Sequence, residues 1–180
     1  MYSTPYMYVD AIKKQNLTYP TKYDDMFPYA DQKNEYWSGY FSSRSNSKRQ
    51  VRLAQANLHA SNKVFSNKVI NQKTEDSEIK SIQEAKDAML DAMGIYQHHD
   101  AVTGTAKQAV ADYYYKHTKS AMEKSNQIYK TIVGEFARND GLESNDWEMC
   151  SGEDTYADCP VHHTKEGWFG VTAHNPSSIA

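Results

Sequence analysis

The chain has 180 residues and a formal net charge of −3, with 24% charged and 39% hydrophobic residues. This length suits one domain, or one domain with part of another. The slightly acidic balance excludes a global basic surface of the kind that nucleic-acid binding requires. The sequence has no run of about 18 apolar residues, so we expect no membrane span.

Two short features bear on the compartment. Asn16-Leu17-Thr18 is a glycosylation sequon. Cys150 and Cys159 are compatible with a disulfide, half a metal site or two free thiols, although a metal site is disfavoured because no C-x-x-C pair occurs. A sequon and a disulfide both favour the secretory pathway. The N-terminus, however, predicts no signal peptide. A fragment of a longer secreted protein would reconcile these observations.

The N-terminal region predicts a short helix followed by a loop. Thr4 is a suitable N-cap, with Pro5 at the first helical position, for a helix over residues 4–15. Tyr19-Pro20 and Phe27-Pro28 interrupt any continuous structure, so residues 16–36 are expected to form a loop.

The central region predicts three helices, over about 46–70, 77–97 and 105–138, because apolar residues recur at helical spacing. The apolar stripes are Val51, Ala54, Leu58, Phe65 and Val69; Ile79, Ile82, Met89, Met93 and Tyr96; and Val110, Tyr114, His117, Ala121, Ile128 and Ile132. Thr105 with Gln108 fits a capping box at the third helix start. Short breaks between the helices favour an antiparallel three-helix bundle, so the fold class is mainly α.

The C-terminal region changes character. Residues 167–174 predict a strand that Asn175-Pro176 ends. A single strand needs partners for its edges. This region therefore gives a second indication that the chain belongs to a longer protein.

The residues His98-His99-Asp100 form the most suggestive chemical cluster. Imidazole and carboxylate groups are typical metal ligands, yet adjacent helical residues point about 100° apart, so we expect one histidine to bind an ion and the other to pack beside it. Ordinary capping or interhelical contacts are the alternative. The cluster would in any case supply only part of a zinc site.

Other polar and aromatic residues have two interpretations each. Trp37 offers a stacking surface for a sugar ring, or packs against the bundle end. Asp24, Asp25 and Asp31 are carboxylates of the kind that glycoside hydrolysis uses, but beside proline they more often make turn contacts. His162-His163 is interpreted as solvated surface. The sequence has no G-x-S-x-G motif for a nucleophilic serine.

Several segments, in this order, resemble glycoside hydrolase family 38, and its lysosomal-type α-mannosidases in particular. They are Tyr2-Ser3-Thr4-Pro5, Tyr23-Asp24-Asp25-Met26-Phe27-Pro28-Tyr29-Ala30-Asp31, Tyr36-Trp37-Ser38-Gly39-Tyr40-Phe41-Ser42-Ser43-Arg44, and Gln97-His98-His99-Asp100-Ala101-Val102-Thr103-Gly104-Thr105. The tail agrees, since Cys150 and Cys159 resemble the short disulfide loop of that family.

The resemblance implies a role for individual residues. His99 matches a zinc ligand of the family, Asp100 a residue that contacts mannose hydroxyls, and Trp37 a residue that lines the substrate pocket. His98 and Asp25 are given only structural or supporting roles. The H-x-D zinc pair, the nucleophile and the acid/base aspartate lie upstream of Tyr2 in the family, so we expect this chain alone to hold no catalytic zinc and to be inactive.

The resemblance also implies the domain organisation. Residues 1–35 would end an α/β catalytic domain, residues 36–140 form the three-helix bundle, and residues 141–180 form the disulfide loop and the first strand of a β-sandwich domain. The parent would be a retaining enzyme with one zinc ion, in the lysosome or secretory pathway. Its partners would be a mannose-containing oligosaccharide and the remainder of the polypeptide. The alternative is a non-catalytic helical interaction or glycan-binding module derived from such an enzyme.

Overall fold

The computed structural model describes residues 2–142, 147–150, 159, 163 and 171. The chain divides into two compact units, Met1–Ser38 and Gly39–Ala180, and each is described by itself. The strand predicted at 167–174 lies outside the described residues except for Val171. The predicted domain divisions at 35/36 and 140/141 stay predictions.

The first unit contains one helix and one small hairpin. Helix α1 spans Pro5–Lys13, and the Thr4 hydroxyl accepts a hydrogen bond from the Met7 amide at 3.2 Å, as a predicted N-cap should. Strands β1 (Ala30–Gln32) and β2 (Glu35–Tyr36) pair antiparallel. The prediction of a loop over all of 16–36 was therefore wrong for its second half, where these short strands form.

The second unit is built on three long helices, which confirms the mainly α fold. Helix α2 spans Ser45–Asn71, α3 spans Asp76–Tyr96 and α4 spans Gln108–Asn139. A 3-10 turn, Gly39–Phe41, precedes α2. The predicted helices agree with α2 and α3 to within one residue at each end. The third helix begins three residues later than its predicted cap at Thr105.

Two clusters of buried side chains show how the three helices run. One joins the N-terminal half of α2 to the C-terminal half of α3 and the N-terminal half of α4, and the other joins the opposite halves. The first contains Val51, Ala54, Leu58, Met89, Ala92, Met93, Tyr96, Ala101 and Ala121, and the second contains Val64, Phe65, Ile82, Ala85 and Ile132. Helix α3 is thus antiparallel to α2 and α4. Of the predicted apolar stripes, Val69 and Val110 are exposed instead.

The core also contains polar side chains that the apolar pattern did not predict. Gln50, Lys68 and Thr118 are buried. Gln50 Nε2 donates to the Tyr115 carbonyl at 3.2 Å, and the Thr118 hydroxyl donates to the Tyr114 carbonyl at 2.9 Å. Lys68 contacts carboxylates from both other helices. Buried polar groups need such partners. Those of Gln50 and Lys68 lie on other helices and connect them, whereas that of Thr118 lies within α4.

No helix in the described part of the chain combines the length and the apolar character that a membrane crossing needs.

Candidate functional site

The histidine cluster lies directly after the end of α3. That helix ends at Tyr96, and the His98 amide donates to the Ile95 carbonyl at 3.0 Å in a closing turn. Tyr96 is 2% exposed and fixes the end of the helix in the core. His98 and His99 are consequently not on a helix, so the expectation that their side chains diverge by a helical step does not apply.

The three side chains of the cluster face one another. The Nε2 atoms of His98 and His99 lie 3.5 and 3.6 Å from Asp100 Oδ2, and the two imidazole centroids are 4.4 Å apart. One potential ligand atom from each residue lies within 4.8 Å of the others. The side chain of His99 is 84% exposed, against 45% for His98 and 48% for Asp100.

A hydrogen bond stabilises the negative charge of the Asp100 carboxylate. The Thr105 hydroxyl donates to Asp100 Oδ1 at 2.7 Å, and this hydrogen bond is the main reason why the pKa of Asp100 is lowered. Partial desolvation opposes the effect, and the neighbouring His99 and His98 add to it. The carboxylate therefore stays ionised to a lower pH than an ordinary aspartate.

The predicted capping box at Thr105 and Gln108 does not form. Thr105 uses its hydroxyl on Asp100, while Gln108 Nε2 donates to Asp112 Oδ1 at 2.7 Å. Lys107 stands at the N-cap of α4 and makes no side-chain capping bond. The prediction was wrong because the helix begins later, with Lys107 at its N-cap, and the Thr105 hydroxyl donates to a carboxylate five residues back and does not accept a bond from a helix amide.

The loop after the cluster is held by the beginning of α2. The Ser43 hydroxyl donates to the Gly104 carbonyl at 3.0 Å. Arg44 Nη1 donates to the carbonyls of Gly104 at 2.5 Å and Ala106 at 2.8 Å. Lys48 Nζ lies 2.8 and 3.0 Å from the carbonyls of Val102 and Thr103. Burial lowers the pKa of Lys48, as expected for an amine beneath a loop.

Sequence reasoning missed this set of contacts. We call Ser43, Arg44 and Lys48 the loop clamp. Ser43 and Arg44 belong to a segment that carried the family resemblance, but no role was given to them. The available signal was a pair of cations one helical turn apart at the start of a helix, since such side chains can reach free carbonyls of a neighbouring loop.

Trp37 belongs to the first unit, where its own neighbours fix it. Its Nε1 donates to Asp31 Oδ1 at 3.0 Å, and its ring meets Tyr29 edge-on with centroids 5.4 Å apart. The side chain is nevertheless 55% exposed. Asp25 accepts a hydrogen bond from the Phe27 amide at 3.1 Å, as expected of a turn residue.

The predicted glycosylation site, the two cysteines and one of the two C-terminal histidines lie among the described residues. Asn16 is exposed just after α1, with a positive φ of 53°. Cys150 and Cys159 form a disulfide with their Cα atoms 5.4 Å apart, so the disulfide alternative is confirmed. His163 is exposed, and His162 lies outside the described residues.

The cluster has the chemistry of a zinc site. Zinc accepts imidazole nitrogen and carboxylate oxygen, and structural or catalytic sites use three or four such ligands. His98, His99 and Asp100 supply these atom types within reach of one another, and they form the one such group of three in the part of the chain that the structure describes. The donor set thus fits this metal, at a loop that other residues hold in place.

The comparison with known families agrees with the fold. Residues 35–136 match the family model described as the alpha mannosidase middle domain. This match covers more than half of the chain, which therefore belongs to the α-mannosidase family.

Individual relatives extend the similarity beyond the matched domain. The lysosomal alpha-mannosidase of Dictyostelium discoideum is 40% identical over 136 residues, 74% of this chain and 13% of the relative. The lysosomal alpha-mannosidases of Felis catus and Mus musculus are each 35% identical over 98% of this chain and 16% of their own lengths. The chain thus spans less than a fifth of these relatives. The resemblance to the lysosomal-type enzymes is confirmed.

Proposed function

We propose that this chain is the central part of a retaining, zinc-dependent α-mannosidase that hydrolyses terminal α-D-mannose residues of N-glycans and glycoproteins. The observation that carries the proposal is the cluster of His98, His99 and Asp100 at one end of the bundle of an α-mannosidase-family chain. The small share of each relative that the chain spans supports a role as one part of a larger enzyme.

His99 is the proposed zinc ligand. Its imidazole is the most exposed group of the cluster, so its nitrogen is open to an ion that other ligands also hold. The Thr103 hydroxyl donates to its carbonyl oxygen, which fixes the backbone beneath the ring. A bound zinc ion would coordinate sugar hydroxyls and orient the ring for attack. The ring of His98, tilted by 44° with its centroid 4.4 Å from that of His99, would limit the movement of the His99 ring.

Asp100 is the proposed contact for mannose hydroxyls. An ionised carboxylate accepts short, strong hydrogen bonds from hydroxyl groups. The hydrogen bond from Thr105 lowers the pKa of Asp100, so the group stays an acceptor to a lower pH than an ordinary aspartate. This property fits a parent enzyme of the lysosome, the location that the names of the relatives support.

Trp37 is the proposed sugar-stacking residue. Its indole is held in place by Asp31 and Tyr29 while more than half of its surface stays open. An immobilised, exposed aromatic ring matches the apolar face of a pyranose at little entropic cost. Asn16 is the proposed glycosylation site, since it is exposed and lies in a sequon.

The nucleophile and the acid/base are proposed to come from the remainder of the enzyme. Retaining hydrolysis needs two carboxylates about 5 Å apart. Of the three candidate carboxylates of the first unit, Asp25 and Asp31 hold the Phe27 amide and the Trp37 indole in place, and Asp24 lies 3.5 Å from Lys22 Nζ. We therefore expect the purified 180-residue chain to show no turnover by itself.

A chimaera tests the proposed function. The chain replaces the aligned segment of the cat lysosomal alpha-mannosidase, whose similarity covers 98% of it. Hydrolysis of p-nitrophenyl α-D-mannoside and zinc content are measured, with the α-D-glucoside as the control substrate. The chimaera should bind zinc and hydrolyse the mannoside, and H99A should reduce activity by at least about 100-fold together with zinc content.

H59A is the matched control, because His59 is an exposed histidine in α2. It should leave both readings at the level of the unsubstituted chimaera. A folded chimaera that holds no zinc and hydrolyses nothing would contradict the proposal and favour a non-catalytic module.

A further inference from the structure

We propose that Thr105 is a positioning residue for Asp100, whose hydroxyl fixes one carboxylate oxygen and so presents the other to the two imidazoles and the sugar. The inference rests on the proposed function and deepens it, because it assigns a role at the same site to a residue outside the zinc and mannose contacts.

The two oxygens of Asp100 have different environments. Oδ1 accepts the hydrogen bond from Thr105 at 2.7 Å, whereas Oδ2 lies 3.5 and 3.6 Å from the imidazole nitrogens of His98 and His99. Rotation of the carboxylate about its terminal bond is intrinsically soft. The two oxygens are otherwise equivalent, so one short hydrogen bond to either of them holds the side chain in the rotamer that turns the other oxygen toward the histidines.

Thr105 is itself held in place from both sides. The Ala106 amide donates to the Asp100 carbonyl at 3.1 Å, which closes the loop around Thr105. Arg44 Nη1 binds the carbonyls of Gly104 and Ala106, the two residues that flank it. The direction of the Thr105 hydroxyl is thus set by a side chain at the beginning of α2.

A second hydroxyl lies beside the first. Thr103 Oγ1 lies 2.9 Å from Thr105 Oγ1, and Thr103 donates its one proton to the His99 carbonyl. Thr105 donates its own proton to Asp100, so neither proton is left for a hydrogen bond between the two hydroxyls. The two threonines therefore hold separate partners side by side, Thr103 the backbone of the proposed zinc ligand and Thr105 the carboxylate of the proposed sugar contact.

The first test measures the orientation of Asp100 in the 180-residue chain, without metal or substrate. Three-bond NMR couplings to the Asp100 side-chain carboxyl carbon report the rotamer about its Cα–Cβ bond, which brings the carboxylate to Thr105 or moves it away. The wild-type chain should show one rotamer, T105V should show averaged couplings, and T105S should restore the single rotamer because it restores the hydroxyl. T131V is the control, since Thr131 donates to the Gln127 carbonyl at 3.1 Å on the exposed side of α4. Unchanged couplings in T105V would overturn the proposal.

The second test measures the effect on the reaction in the chimaera described above. T105V should lower kcat/KM for the mannoside by roughly tenfold or more, as expected for a misplaced substrate contact, without changing zinc content or the unfolding midpoint. T105S should recover most of the loss, and T131V should match the unsubstituted chimaera. A kcat/KM of T105V equal to that of the unsubstituted chimaera would overturn the positioning role of Thr105 but not the proposed function. An inactive, zinc-free parent chimaera would overturn the proposed function and this inference with it.

Discussion

Arg44 and Gly104 lie 60 positions apart in the sequence, but the Arg44 side chain contacts the Gly104 backbone. Both have left-handed backbones, with φ of 49° and 75°, and Arg44 Nη1 donates to the Gly104 carbonyl at 2.5 Å. A Cβ atom at Gly104 would lie 2.5 Å from the Ser43 carbonyl oxygen. The loop that carries the histidine cluster can therefore approach α2 this closely only with glycine at position 104.

Substitution G104A should destabilise the second unit by about 2–4 kcal/mol, because alanine is strained at this φ and its methyl group collides with backbone. Urea unfolding followed by circular dichroism measures the change. G94A is the matched control, since Gly94 is exposed in α3 and a Cβ there meets nothing within 4 Å. It should raise stability by up to about 1 kcal/mol, because alanine favours helix over glycine. Equal destabilisation by both variants would contradict the close-approach argument.

Substitution R44A should speed hydrogen exchange in the loop strongly and lower the global stability of the fold only moderately. The guanidinium holds two loop carbonyls, and its loss removes those bonds while the apolar clusters stay intact. The Gly104 and Ala106 amides should exchange with solvent faster, by roughly tenfold, at a cost to global stability of about 1–2 kcal/mol. Hydrogen exchange by NMR measures both effects. R52A, at an exposed arginine of α2, should leave exchange in the loop unchanged.

Lys68 joins all three helices at the opposite end of the bundle. Its Nζ lies 2.5 Å from Glu135 of α4 and 3.2 Å from Glu78 of α3. K68M should destabilise the protein by about 2–3 kcal/mol, because it leaves two carboxylates close together without a counter-charge; their partial exposure keeps the effect below that of a fully buried pair. Chemical unfolding measures the loss. K80M, at an exposed lysine of α3, is the control and should change stability little.

The contribution of Lys68 to the free energy of unfolding should decrease at alkaline pH. The hydrogen bond to Glu135 is the main reason why the pKa of Lys68 is raised above its ordinary 10.5, and burial opposes it. A raised pKa means that the stabilisation is complete below the unfolded value and is lost as pH rises through the folded value. The difference in unfolding free energy between wild type and K68M should therefore be constant from neutral pH to about pH 10 and narrow above it. A difference that widens at alkaline pH would contradict this assignment.

The helices were predictable because their determinants are local. The apolar residues of α2 and α3 recur at the helical period, and the predicted ends lie within one residue of the observed ones. The start of α4 was not predictable from the same kind of pattern. Thr105 and Gln108 satisfy the sequence rule for a capping box, yet the helix begins at Gln108 with Lys107 at its N-cap, and the Thr105 hydroxyl donates to Asp100.

Buried polar side chains are the second feature that the sequence pattern did not predict. Gln50, Lys68 and Thr118 carry no apolar signal, and only their partners on other helices or in their own turn make burial favourable. A pattern along one helix cannot specify such partners, because they depend on how neighbouring helices are placed.

The sequence by itself determined the helical class, the ends of two helices, the residue types of the cluster and the resemblance to the α-mannosidase family. These properties depend on spacing and residue type along the chain. Only the tertiary structure decided that His98 and His99 face one carboxylate oxygen, and that Arg44 holds the loop which places Thr105 against the other. These contacts join residues up to 62 positions apart, and their directions depend on how the helices pack.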